Sequence, residues 1–164
     1  MPVDWEVIAL RPGRAPLAAL ATASERVERA PYRDELRVDD AGGLFERIEK
    51  RAAIAPLAIV VDQAEELFTQ ASDEERDAFA KCLAGLATRE RIRVLIGVRD
   101  DFLCALEQLP SLRGVIGLGV QLLRVPDREA LGRMIREPAR RRGHDFEDPE
   151  LPARMVDEVT GQVG

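Results

Sequence analysis

The residues best suited to chemistry are three carboxylates, Asp62, Glu65 and Glu66, which follow directly on the apolar run Leu57-Ala-Ile-Val-Val61. Such a run reads as a buried parallel strand, and a strand of that kind delivers the next residue to the carboxyl end of its sheet, where α/β proteins place ligands. An aspartate there suits Mg²⁺, mostly through water, because the ion dehydrates reluctantly and shares its shell with phosphate oxygens. Glu65 and Glu66 lie on the following turn, where one carboxylate could hold an attacking water, with Glu65 the somewhat better placed. The competing reading is that all three cap a helix or face solvent.

A second candidate is Arg99, which ends the apolar run Ile92-Arg-Val-Leu-Ile-Gly-Val98. If that strand lies beside the first, Arg99 enters the same crevice as Asp62 and could grip a γ-phosphate through charge-assisted hydrogen bonds. Otherwise it forms an ion pair with Asp100, Asp101 or a carboxylate of the turn after Asp62. The basic stretch from Arg128 to Arg142 places Arg133, Arg136 and Arg140 on one helical face. It reads as a solvated face paired with Glu129 and Glu137. His144 is the single histidine and falls in a turn-like segment, so no histidine metal site or acid–base relay can be built. The chain has no G-x-x-x-x-G-K-[S/T] loop to cradle phosphates.

The elements that must position these residues follow from periodicity and punctuation. Trp5 to Leu10 reads as a strand, broken at Arg11-Pro12-Gly13. A helix opens at Pro16, runs to about Glu28 and is closed by Pro31. A second helix runs from Leu44 to about Ala52 after Gly42 and Gly43, and Pro56 leads into the strand ending at Val61. Ser72 caps a helix whose first turn is acidic and whose buried stripe is Phe79, Leu83 and Leu86, with Cys82 alongside. A short helix from Phe102 to Leu109 is stopped by Pro110. Val120 to Val125 reads as a last strand, and Pro126-Asp127 leads into the basic helix, which Pro138 should kink or end early. A final helix spans about Pro149 to Val159. Alternating strands and helices predict an α/β chain, with helices on both faces of a mostly parallel sheet.

Composition sets outer bounds. The 164 residues are 46% hydrophobic and 33% charged, which suits a folded domain with a real core. No apolar run approaches the ~20 residues needed to cross a bilayer, and the first residues lack a signal-peptide pattern, so a cytoplasmic setting without membrane is expected. Two cysteines without metal-ligand spacing argue against a disulfide framework. The net charge of −6 argues against nucleic acid as a partner.

Several motifs then occur in series. Ala58-Ile-Val-Val-Asp-Gln-Ala-Glu-Glu-Leu-Phe-Thr69, Arg76-Asp-Ala-Phe79 and Val94-Leu-Ile-Gly-Val-Arg-Asp-Asp-Phe-Leu103 resemble the bacterial STAND NTPases, in the branch whose Walker B strand ends in D-Q-x-E-E-L-F-T. Trp5 to Leu17, Arg136-Glu-Pro-Ala139 and His144-Asp-Phe-Glu147 are similar to further segments of that branch, in the right order. The resemblance spans nearly the whole chain. It departs at Ala64, where the branch commonly has an aromatic residue.

The resemblance implies a P-loop fold of strand order 5-1-4-3-2, in which ATP or ADP switches the molecule between resting and assembled signalling forms. By position, Asp62 is then the Mg²⁺ aspartate, Glu65 or Glu66 the hydrolytic carboxylate, and Arg99 the γ-phosphate sensor. It also implies that the phosphate loop and first strand belong before Trp5, and that the family continues beyond Gly164. The expected organisation is a partial P-loop core over 1–126, a three-layer sandwich, followed by a helical segment over 127–164 that begins a lid. The cofactors of the intact domain are Mg²⁺ and ATP or ADP. This chain alone is expected not to hydrolyse ATP, and nucleotide binding by it is left open. A missing central strand would leave the strands ending at Arg99 and Val125 with unpaired edges. The sheet should then rearrange, pair those strands directly or recruit another chain. The alternative is a non-catalytic interaction module derived from such a domain, whose partners are other protein chains.

Overall fold

A computed structural model of the chain describes residues 4–28, 41–116 and 119–161. Its strands are β1 (Glu6–Leu10), β2 (Leu57–Val61) and β3 (Ile92–Ile96). They form one three-stranded, all-parallel sheet in the order β1-β2-β3, and the last registered row is Leu10, Val61 and Ile96. This is the α/β architecture expected, consistent with part of a P-loop-like sandwich.

Parallel neighbours need a crossover, and crossovers are right-handed. The first crossover is α1 (Pro16–Glu28) and α2 (Ala41–Ile54); the second is α3 (Glu66–Thr69) and α4 (Asp73–Ala87). Both step across the sheet in the same direction, so both must lie on the same face. Ile8, Leu10, Leu57, Ile59, Val61 and Ile92 turn to that face and are buried with Leu17, Leu20, Leu44, Ile48, Phe79 and Leu83. Helices α2 and α4 approach closely where Gly85 meets Phe45: a Cβ on Gly85 would lie 2.8 Å from the Phe45 ring. The other face carries Val7 and Leu95, 56% and 54% exposed, beside the exposed Ala9 and Arg93. Among the described residues, then, one face of the sheet has its helical layer and the other is open.

Local signals explain most boundaries. Ser72 caps α4, its hydroxyl accepting the Glu75 N–H at 3.3 Å, and Asp73, Glu74 and Glu75 fill the first turn, where the dipole favours them. Helix α2 starts earlier than expected, taking in Gly42 and Gly43. Strand β3 stops at Ile96 rather than Val98. A 3-10 turn (Asp100–Phe102) and the short helices α5 (Leu103–Glu107) and α6 (Arg113–Ile116) follow, with Leu106, Leu109 and Leu112 buried in the core. The expected closure of α1 at Pro31 lies outside the described residues.

The expected strand from Val120 to Val125 is not formed. Residues 119–127 have no regular structure, and Leu122, Leu123 and Val125 are 69%, 91% and 77% exposed. An extended segment becomes a strand only when another strand takes up its backbone groups, and this one has no strand partner among the described residues. The outer edge of β3 likewise has no strand partner among the described residues. The sheet has therefore neither rearranged nor paired those two segments directly.

The chain divides into two compact units, 1–120 and 121–164. The second contains α7 (Arg128–Arg141) and α8 (Leu151–Gly161), which pack together with Val156 and Gly132 buried and an ion pair between Arg128 and Asp157. Asp127 caps α7, accepting the Ala130 N–H at 2.7 Å. Helix α7 does not end early at Pro138 but continues to Arg141, because the proline lies in the last turn and little helix remains to be disrupted. The helix ends in a Schellman motif: Gly143, at φ +71°, donates to the Arg140 carbonyl, and His144 donates to that of Ala139. Arg133 pairs with Glu129 and Arg140 with Glu137, as expected for a solvated face.

Candidate functional site

The site grows out of the sheet's register. Leu10, Val61 and Ile96 form the last row, so the residues that follow them, Arg11, Asp62 and Gly97, form the next one at the carboxyl end. Hydrogen bonds extend the ladder this far: the Asp62 N–H donates to the Leu10 carbonyl at 2.9 Å, and the Gly97 N–H to the Val61 carbonyl at 2.8 Å. Alternation along a strand turns this row away from the helix-covered face. Asp62 then meets Arg11, whose Nε lies 3.3 Å from its Oδ2, with both side chains more than half exposed. On the other side, Gly97 leaves room beside Oδ1; a Cβ there would lie 3.7 Å from it.

The turn after Asp62 is sharply bent. Gln63 adopts φ +55°, a left-handed conformation uncommon outside glycine, and the Ala64 N–H then donates to the Gly97 carbonyl at 2.9 Å. This lets the chain leave β2 directly into α3, with Ala64 and Leu67 buried beneath. The two glutamates part company here. Glu66 Oε2 accepts the backbone N–H of Gly13 at 3.0 Å, across 53 residues of sequence. Gly13 makes that contact from φ +58°, a conformation glycine adopts without strain. Glu65 keeps a buried carboxylate oxygen, Oε2, with no hydrogen-bond partner.

Arg99 lies just beyond β3, at the same end of the sheet, but its guanidinium is engaged locally. It grips Asp101 with two bonds, Nε–Oδ1 at 3.1 Å and Nη2–Oδ2 at 2.8 Å, and lies over the Phe102 ring. Phe102 stacks on Phe68 at 6.1 Å, and Arg76 caps Phe68, so the segment after β3 is tied to α3. Of the four residues singled out in the sequence, Asp62 and Glu66 are joined through the turn 11–13, while Arg99 is held by Asp101. Sequence reasoning missed Arg11 and Gly13. The signal was present, since in parallel register the successor of Leu10 must stand beside the successor of Val61.

The donor set suits one mode of cation binding. No group of three or more His, Cys, Asp or Glu among the described residues could hold a metal by itself. Asp62 is open, however, with a single long contact to one oxygen, which fits an ion completing its shell with water and phosphate as Mg²⁺ does. No helix among the described residues is long and apolar enough to cross a membrane.

The sequence model of the family described as Novel STAND NTPase 1 matches residues 2–164. No curated protein and no solved structure matches the chain. A match over essentially the full sequence, in a parallel α/β sheet with an aspartate at the end of its central described strand, leads to one conclusion: this chain belongs to the novel STAND NTPase 1 family.

Proposed function

We propose that the chain is the cation-facing part of a nucleotide-dependent switch, in which ATP or ADP state changes conformation and assembly. The observation that carries this reading is the exposed Asp62 carboxylate at the carboxyl end of β2, set as a Walker B aspartate would be. Asp62 would hold Mg²⁺ through water. The ion, when bound, bridges the terminal phosphates and neutralises their charge. Glu65 is the better candidate to orient an attacking water, because the Glu66 carboxylate is already committed to Gly13. Arg99 would reach a γ-phosphate only by exchanging Asp101 for it, a swap between two anions that its bidentate geometry suits.

Within the 164 residues no phosphate-cradling loop occurs, so independent hydrolysis of ATP by this polypeptide is not expected. Residues 127–164 would begin the helical lid of the intact domain. The setting would be cytoplasmic, with other protein chains as partners in assembly.

A second reading is favoured by a separate observation: among the described residues one sheet face exposes Val7 and Leu95, and the outer edge of β3 has no strand partner. A module that works through protein contacts would present such a surface. The two readings part in a thermal melt with and without millimolar Mg-ATP or Mg-ADP. Specific binding stabilises by about 2.7 kcal/mol when ligand is at roughly 100 times Kd. A Mg²⁺-dependent rise in Tm that disappears in Asp62→Asn supports the switch; no rise with either nucleotide supports the contact module.

A further inference from the structure

The turn between β1 and α1 touches two of the three carboxylates at this end of the sheet. Arg11 reaches one oxygen of Asp62, and the backbone N–H of Gly13, two residues on, reaches one oxygen of Glu66. Both contacts cross more than 50 residues of sequence, and the buried Pro12 between them stiffens the turn. The two ends of this clamp differ in strength. The Gly13 bond is short, at 3.0 Å, and partly buried. The Arg11 contact is a single Nε interaction at 3.3 Å between side chains 61% and 58% exposed. By contrast, Arg99 uses two bonds of 2.8 and 3.1 Å to hold Asp101. An exposed, one-point ion pair contributes little and exchanges readily.

From this geometry we infer that Arg11 is a displaceable latch on Asp62: it serves as the carboxylate's counter-ion when no divalent cation is present, competes with the cation for it, and is released when the cation binds. Gly13 holds the turn in place through Glu66 while this happens, so the freed guanidinium stays beside the site, where it can meet an anionic group on the incoming ligand. Arg11 is thus a positioning residue, acting through Asp62. The inference rests on the reading of Asp62 as cation-facing, and the test separates the two.

The probe is Mn²⁺ alone, titrated into the ¹⁵N-labelled full chain, with paramagnetic broadening of the Asp62, Gln63 and Gly97 amides as the readout. Site-specific broadening detects even weak binding and does not depend on activity. Wild type should broaden at these amides, and Asp62→Asn should not. Arg11→Met removes the competing charge and should reach half-broadening at about one-third of the wild-type Mn²⁺ concentration. Arg11→Lys keeps the charge and should titrate close to wild type, which a purely structural role would not produce. In parallel, the Arg11 Nε–H resonance of the wild-type chain should move on addition of Mg²⁺ and stay fixed in Asp62→Asn. If broadening depends on Asp62 but Arg11→Met titrates like wild type or more weakly, the latch is overturned and the cation site stands. If no protein broadens at these amides, the cation reading of Asp62 fails, and the latch with it.

Discussion

At the scale of single residues, the carboxyl end of the sheet concentrates unusual conformation and unpaired polarity in a few positions. Gln63 sits at φ +55° directly after Asp62, and Glu65 keeps a buried oxygen without a partner. Left-handed backbone costs a residue with a Cβ about 1–2 kcal/mol, and strain of that kind gathers at functional sites. Replacing Gln63 by glycine removes the steric cost while loosening the unfolded chain by a similar but smaller amount. Gln63→Gly should therefore be neutral or stabilising by up to about 1 kcal/mol in urea unfolding. Gln63→Val should destabilise by about 1–2 kcal/mol, since a β-branched side chain tolerates this conformation worst. Equal stability of the two variants would show that the backbone here relaxes freely and stores no strain.

Among the elements, α4 bears most on the fold, since it closes the second crossover and supplies Phe79, Leu83 and Leu86 to the core. Its start depends on Ser72, whose hydroxyl satisfies one of the first N–H groups that have no partner within the helix. Ser72→Ala should cost about 1 kcal/mol, whereas Ser72→Asp should cost little, as both outcomes follow from the cap acceptor alone. The same helix buries Cys82, and burial pushes its thiol up to about 11 from an ordinary value near 9. The folded state thus holds this proton more tightly than the unfolded state does. Its contribution is fully present below pH about 9 and is lost as pH rises towards 11. Denaturant midpoints measured across that window should fall less steeply in Cys82→Ala than in wild type. A disulfide reagent at neutral pH should label the exposed Cys104 quickly and Cys82 only on unfolding.

At the scale of the whole chain, the notable property is that the described residues cover the sheet of the first unit on one face only. Both crossovers lie on one side, which among the described residues leaves Val7 and Leu95 exposed on the other and the outer edge of β3 without a strand partner. Right-handed crossovers that step in one direction dictate this arrangement, whatever the helices are made of. The chain also divides into units at residues 120 and 121, joined by a segment without regular structure that exposes Arg124 among apolar neighbours. Exposed, irregular segments are where proteases cut first. Brief trypsin treatment should therefore cleave after Arg124 before any arginine of α1, α4 or α7, giving fragments of 1–124 and 125–164 by mass spectrometry. Early cleavage within α4 instead would show that the first unit is less cooperative than its core implies.

Much of this was readable from local pattern. The strand Leu57–Val61, the helix Pro16–Glu28 and the Ser72-capped helix appear where periodicity and capping put them, because short-range sterics and orphan backbone groups decide such boundaries. The aspartate at the end of β2 was legible for the same reason. Where a boundary depended on a distant partner, pattern misled. Val120 to Val125 has the composition of a strand, yet it is paired in no sheet among the described residues, and Pro138 lies too near the end of α7 to end it early. The pairing of Arg11 with Asp62, the tie from Gly13 to Glu66 and the capture of Arg99 by Asp101 divide the same way. The last is local, two residues apart, and was among the alternatives the sequence offered. The first two span 51 and 53 residues and exist only because parallel register sets the end of β1 beside the end of β2. Residue types and spacing determined which groups could act; register and crossover handedness decided which of them meet.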